Sequence, residues 1–537
     1  MTPRRRRGAV LPALAISGLF LALAAGVFLL VFNFIARLQP DRGGRLSEAL
    51  VVDGPMTVLP AFAETPNSRD VGGLLYRGLT RTGGDGKPVG ELARSWEVDA
   101  AAKTFTFHLR PGLRWSDGAP LTSADAIYTL AVLQSDAGAR SSAGQAWGGV
   151  TAAALDKSTI RYSLPQPSPA FLALTAIGLL PQHALQPRPV NSLRTITDAP
   201  TSGPFSVASA GREHLLLARN HHAFEQPFLD ELDLRLYGSR GRALQALLDG
   251  EVDLMAGLNP VEARRVEGTV NRRVVTGRTF AYAELLLNER VRALADDHVR
   301  RAIGLALDRQ GLIAGPLGGY AKPDYGPIPP AVTWAALPAR AQPANRAAAA
   351  RALEEAGWVG SGAKPRSRDG ETLRLKVLAP SGAPYAEVAA RISRELAAVG
   401  IAASVQSLPP EALLTRLQSH QYDLALTALD NGPDPDIYVF WHSSQAGPGG
   451  FNFSGMAANA ALDKDLEDGR ATADYALRRT SYVDAQKLID AAHAAVFLYS
   501  PFSLAGLRDS VGGVTLPTGG QRYDRAQDWF VRSHRHF

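Results

Sequence analysis

Apolar and polar positions change period along this chain, and the changes mark its elements. Leu74, Leu75 and Leu79 form an apolar helical stripe ahead of a turn made by Gly83, Gly84, Asp85 and Gly86. Phe105, Phe107 and Leu109 alternate with Thr104, Thr106 and His108, the period of two that predicts a strand. Thr122 with Asp125 three residues on is a variant of the capping box, and a helix should run from there through Ile127, Leu130 and Val132. Ile160, Tyr162 and Leu164 alternate again as a strand, and 136–150 is expected to be a loop.

The second half shows a regular exchange of the two periods. Strands are predicted at Leu373–Ala379, Ile401–Val405 and Tyr422–Leu429, with helices at Tyr385–Val399 and Pro410–Ser419 between them. This order builds a sheet with parallel pairs covered by helices. Residues 431–456 form a Pro/Gly-rich loop, helices follow at 461–468 and 474–493, and Val496–Tyr499 is a further strand.

Residues 9–36 are uncharged and mostly apolar. As a helix they would reach about 42 Å, enough to cross a ~30 Å hydrocarbon core with tilt. Arg4–Arg7 precede the run, so the positive-inside rule keeps the N-terminus in the cytoplasm and places everything after Arg37 outside. The competing reading is a cleaved signal peptide, whose apolar region is shorter and for which Ala22–Leu23–Ala24 is a candidate cleavage site. The expectation taken forward is an uncleaved anchor in the cell membrane, single-pass, with the C-terminal body outside the cytoplasm.

At 537 residues, two or three packed units are expected. The formal charge is +6, but residues 1–40 hold five arginines and no acid, so 41–537 carry only +1. No basic stripe interleaved with aromatics is present, which argues against nucleic acid as a partner. There is no cysteine, hence no disulfide, thiolate chemistry or lipid-modified cysteine. No HExxH or GxSxG occurs; Ser361 and Lys364 have S-x-x-K spacing but lack a Lys-Thr-Gly partner. His221–His222 and His534/His536 read as a solvated turn and a terminus, so no metal, cofactor or catalytic residue is assigned.

Gly78–Leu79, Leu92–Ala93, Ser95–Trp96–Glu97, Phe107, Leu109–Arg110 and the run Trp115–Ala126 together resemble the family 5 extracellular solute-binding proteins, the dipeptide, oligopeptide and nickel receptors of ABC importers. Further matches are Ser202–Gly203–Pro204–Phe205, Asn220, Ala283–Asn288 and Val299–Arg309. The resemblance implies an α/β, two-lobed periplasmic-binding-protein-like fold of type II. Residues 1–7 would be a cytoplasmic basic segment, 8–37 the transmembrane anchor and 38–48 a linker. Lobe I would comprise 49–283 and 505–537, with a subdomain inserted at about 75–190, and lobe II 284–504. It further implies a peptide or other small solute as ligand, ABC permease subunits as partners, and no reaction; the alternatives are a ligand-sensing or structural membrane-anchored ectodomain of the same fold without transport, and a cell-wall or peptide hydrolase, for which no nucleophile–base pair or metal triad is found.

For the site, the resemblance points to Asp430–Asp436, DNGPDPD. Peptide receptors of the family have a similar Asp-Asn-Gly-Asp-Pro-Asp segment whose first aspartate meets the α-ammonium of the peptide, and Asp430 matches that position. Asn431 and Asp434 belong to the same segment, and Trp441, Phe451 and Phe453 are expected to line the cleft. This chain departs from the pattern in having Pro433 inserted and Thr427 where relatives often carry tryptophan.

Overall fold

The computed structural model describes residues 37–54, 56–340, 343–360, 364–519 and 522–536. The predicted anchor, 9–36, lies outside them. No described helix is long and apolar enough to cross a membrane.

The segment expected to be a linker is instead strand. β1 (Arg37–Pro40) pairs antiparallel with the C-terminal strand Ser533–His536, and β2 (Arg45–Val51) is a central strand of the first lobe. Its polar residue Glu48 conceals the apolar pattern between Leu46 and Leu50, yet all three are buried. Glu48 is matched from far along the chain by the Tyr523 hydroxyl, which donates to it at 2.8 Å, and by Arg522 at 3.4 Å. Helix α1 (Pro66–Leu75) starts with Thr65 as cap, its hydroxyl accepting from the Ser68 amide, and with proline in its first turn. Its last carbonyl, that of Leu75, accepts from both the Ser202 and Gly203 amides, at 3.0 and 2.8 Å. A Cβ at position 203 would stand 2.2 Å from the Leu74 carbonyl oxygen, so only glycine permits this approach.

β3 (Thr80–Thr82) and β4 (Pro88–Gly90) form a hairpin. β5 (Ala93–Val98), β6 (Thr104–Leu109), β7 (Thr151–Asp156) and β8 (Thr159–Ser163) make a separate sheet in the order β5-β6-β8-β7. Helix α2 (Ser123–Gln134) packs on it and has the complete Thr122/Asp125 capping box. The stretch expected to be a loop at 136–150 contains a short helix, α3 (Ser142–Ala146), capped by the Ser141 hydroxyl.

β9 (Phe205–Ala210), β10 (His214–Arg219), β11 (Glu231–Tyr237) and β12 (Leu254–Ala256) complete the first-lobe sheet around β2, followed by β13 (Arg272–Arg278). β14 (Ala281–Leu287) enters the second lobe. Its residues alternate between two cores, with Ala283, Leu285 and Leu287 in one and Tyr282 and Leu286 in the other, so the strand is buried on both faces. After β15 (Ala321–Pro323), a small hairpin of β16 (Ser367–Arg368) and β17 (Glu371–Thr372) precedes the expected αβ alternation. β18 (Arg374–Pro380), β19 (Ala402–Leu408) and β20 (Leu424–Asp430) lie in the order β19-β18-β20-β14, with β18 parallel to both its neighbours.

The strand expected at 496–499 is the start of a much longer one. β21 (Ala495–Arg508) runs without a break through both lobes. Its first residues pair with β14, and 502–508 pair with β13. β13 and β14 are joined by residues 279–280, so this connection between the lobes lies beside the other, which is β21 itself. Core membership follows the same division: Ala505 and Leu507 belong to the first lobe's core, Val496 and Leu498 to the second's. The C-terminal strand is β22 (Ser533–His536).

Candidate functional site

Strand β20 delivers the acidic loop at its C-terminal end, the edge at which open α/β sheets place ligands. Three aspartates leave the strand with different fates. Asp434 is joined to the buried Arg478 at 2.6 Å, and Asp436 to Arg470 at 2.8 Å. Burial raises the Asp436 carboxyl from its ordinary value, and Arg470 opposes the shift. Asn431 spans the loop by donating to the Asp436 carbonyl at 3.0 Å. Asp430 is exposed and accepts from the Gly432 amide at 2.9 Å, a turn that needs the positive φ of Gly432. Among the described residues no basic side chain lies within salt-bridge reach of Asp430.

The aromatic residues expected in the cleft separate. Trp441 is buried in the second lobe's core against Phe497, with ring centroids 6.0 Å apart. Phe453 belongs to the same core, and its carbonyl accepts from the Tyr422 hydroxyl. Phe451 is exposed, 5.9 Å from Phe453. The structure thus gathers Asp430, Asn431 and Asp434 in one loop and does not bring the three aromatics into a cavity with them.

The tip of the β3–β4 hairpin reaches this loop from the first lobe. Lys87 holds its ammonium 4.8 Å from the ring centre of Tyr475 and 6.0 Å from that of Trp334. Those two rings meet edge to face at 4.9 Å, and the Arg478 guanidinium covers Trp334 at 5.5 Å. A Cβ on Gly86 would stand 3.4 Å from the Pro433 carbonyl oxygen, so the hairpin sits directly on the acidic loop.

Behind the hairpin, a cavity of about 540 Å³ runs along α1. Helical spacing turns Pro66, Arg69, Asp70 and Gly73 to it. Trp147, Leu174 and Ile177 form its apolar side. Its charged end holds Glu91 between Arg77, at 3.3 Å, and Arg81, at 3.0 Å. Asp524 stands in the same wall, and burial pushes its carboxyl up to about 6 against the pull of Arg77. Thr80 and Arg81 border both this cavity and the narrow gap at Pro433 and Asp434, so the two spaces adjoin. Sequence reasoning missed the cavity. Its one local trace is Gly72–Gly73 inside a helix, where glycine costs about 0.5–1 kcal/mol relative to alanine. Among the described residues no three metal-ligating side chains converge.

The model of the bacterial extracellular solute-binding proteins, family 5, matches residues 87–450. The chain belongs to this family. Among curated members, protein XP55 of Streptomyces lividans is 28% identical over 491 residues, covering 90% of this chain and 89% of that protein. The oligopeptide-binding protein AppA of Bacillus subtilis is 24% identical over 510 residues, covering 92% and 93%. The crystal structure of the ABC transporter substrate-binding protein CtaP from Listeria monocytogenes superposes with a TM-score of 0.78 at 23% identity, covering 92% of this chain and 100% of that one. The two-domain α/β architecture is therefore that of the family.

Proposed function

We propose that this chain is the extracytoplasmic receptor of an ABC importer and captures oligopeptides between its lobes, with Asp430 taking the α-ammonium. In this reading the lobes that close are the first, which holds β2 to β13, and the second, which β14 enters, and β13, β14 and β21 flex between them. Residues 9–36 tether the receptor to the membrane, and permease subunits receive the solute. No chemical step is assigned.

The observation that carries the reading is the difference between the loop's carboxylates. Asp434 and Asp436 are already matched by arginines, whereas Asp430 offers its charge at the strand end. The family membership supports capture of a solute, and the name of AppA supports a peptide. Once a ligand covers Asp430, losing the charge leaves the ammonium unpaired, at about 2–5 kcal/mol. At ~1.4 kcal/mol per decade, Asp430→Asn should weaken peptide binding at least about tenfold in calorimetry. Asp436→Asn should do less. Equal affinity of Asp430→Asn and the parent would show that the acidic loop is purely structural.

A further inference from the structure

The two-residue connection between β13 and β14 carries an aromatic ring into the second lobe. Phe280 is 2% exposed and belongs to that lobe's core with Ile328 and Val332. Its backbone is stitched on both sides: the Thr279 hydroxyl donates to the Pro501 carbonyl at 2.6 Å, and the Ser500 hydroxyl to the Ala281 carbonyl at 2.8 Å. Two glycines of the first lobe face the ring. A Cβ on Gly519 would overlap it, and one on Gly86, at the hairpin tip, would stand 3.5 Å from its Cε1. Gly519 ends a strap, 516–519, whose Leu516 packs on the first lobe's core. The strap is fastened at two points. The Gly519 amide donates to the Arg278 carbonyl, the last of β13, at 3.0 Å, and the Thr518 hydroxyl donates to the Gly84 carbonyl of the hairpin at 3.2 Å.

We propose that the hairpin tip and this strap form a clamp on Phe280 that biases the lobes toward closure whichever solute they hold. The ring moves with the second lobe, in whose core it is buried, whereas Gly86 and Gly519 move with the first. A Cβ on Gly86 would also stand 3.4 Å from both the Pro433 carbonyl oxygen and the Val332 Cα, so the tip meets three residues of the second lobe at one point. Opening the lobes draws both glycines off the ring and returns apolar surface to water. Thr518 is a positioning residue. Its bond holds the tip where the ring and the acidic loop receive it, so less order is lost when the lobes come together. The inference rests on the solute-receptor reading, in which the lobes move, and adds a part of the closing force that comes from the chain rather than from the solute.

The test is single-molecule energy transfer in the full-length chain without added solute, between dyes on cysteines placed at the exposed Leu155 and Leu477, one in each lobe. The parent should show two distances, closed and open. Thr518→Val keeps the shape and removes the bond to Gly84; Phe280→Leu keeps an apolar core residue and removes the ring from the two glycines. Each should lower the closed-to-open ratio about two- to fivefold. Urea unfolding of the same chains shows whether Phe280→Leu still folds, and Thr518→Val changes only a surface hydroxyl. Two distances whose ratio stays at the parent's value in Thr518→Val, or in a folded Phe280→Leu, overturn the clamp and leave the receptor reading standing. A single distance in the parent overturns lobe closure itself and takes the clamp with it.

Discussion

Replacing Glu284 by glutamine should make the protein more stable in alkali and leave it no more stable in acid. Glu284 enters the second lobe on β14 and is buried beside Thr427 of β20, whose hydroxyl donates to it at 3.2 Å. Its other carboxylate oxygen has no hydrogen-bond partner, and neither has one oxygen of the buried Asp324. Burial first, and then the repulsion of Asp324, raises Glu284 from 4.5 to about 8. Burial raises Asp324 to about 7. A carboxyl with a folded-state value above its unfolded one holds its proton more tightly in the fold. The stability it confers is therefore complete below about pH 4.5 and is lost as the pH rises through 8. At about 1.4 kcal/mol per pH unit, the span from 4.5 to about 8 corresponds to on the order of 5 kcal/mol. Glutamine keeps the shape and an acceptor for Thr427 but cannot ionise. Urea unfolding across pH 4.5–9 should show the two stability curves together in acid and the variant several kcal/mol higher by pH 9. Curves that stay parallel over the whole range would refute the assignment of a buried, reluctant acid on this strand.

Three further outcomes follow from the geometry. Lys87→Met removes the cation that the hairpin lays on Tyr475 and Trp334; at about 0.5–1 kcal/mol the closed-to-open ratio should fall about two- to fivefold. Single-molecule energy transfer between cysteines introduced at the exposed Leu155 and Leu477 of this cysteine-free chain reads it, and an unchanged distance distribution would show that the Lys87 contact does not hold the lobes together. Arg478→Ala strands Asp434 and should cost about 3–5 kcal/mol in urea unfolding, with the Arg478→Ala/Asp434→Ala pair recovering part; a loss below about 1 kcal/mol would mean the loop is held otherwise. N-terminal sequencing of membrane-derived protein should find residues 9–36 still attached, and a mature chain beginning between Ala25 and Gly43 would contradict the anchor.

Much of the fold was legible because the motifs that carry the family resemblance do packing work. A Cβ on Gly78 would stand 2.4 Å from the Ala176 carbonyl oxygen. Trp115 is fully buried. The Asn220 side chain donates to the carbonyls of Thr201 and Gly203, and that of Asn288 to those of His420 and Tyr422. Such residues fix backbone approaches that the whole architecture needs, and say little about a solute. What escaped the sequence is what depends on distant partners. The first strand is expected from residue 49; its start at Arg45 is hidden by Glu48, whose partner Arg522 lies 474 residues away. β21 is legible only as Val496–Tyr499, because the Ser500–Pro501 step, with its imino nitrogen, interrupts an otherwise apolar run, yet Pro501 sits opposite Ala321 in the sheet. Trp441 and Phe453 have the same local pattern whether they face a core or a cleft, and here they face a core. The cavity along α1 is assembled from α1, α3, the β3–β4 hairpin and the turn at Tyr523–Asp524, and no stretch of sequence contains more than a fragment of it.

Native mass spectrometry of the full-length chain, released from detergent in the spectrometer and followed by fragmentation of whatever it expels, tests solute capture most directly. An excess mass that disappears on denaturation and fragments as short peptides is expected, with a smaller bound fraction in Asp430→Asn. Bound material that is not peptide, or a bound fraction identical in parent and Asp430→Asn, would contradict it.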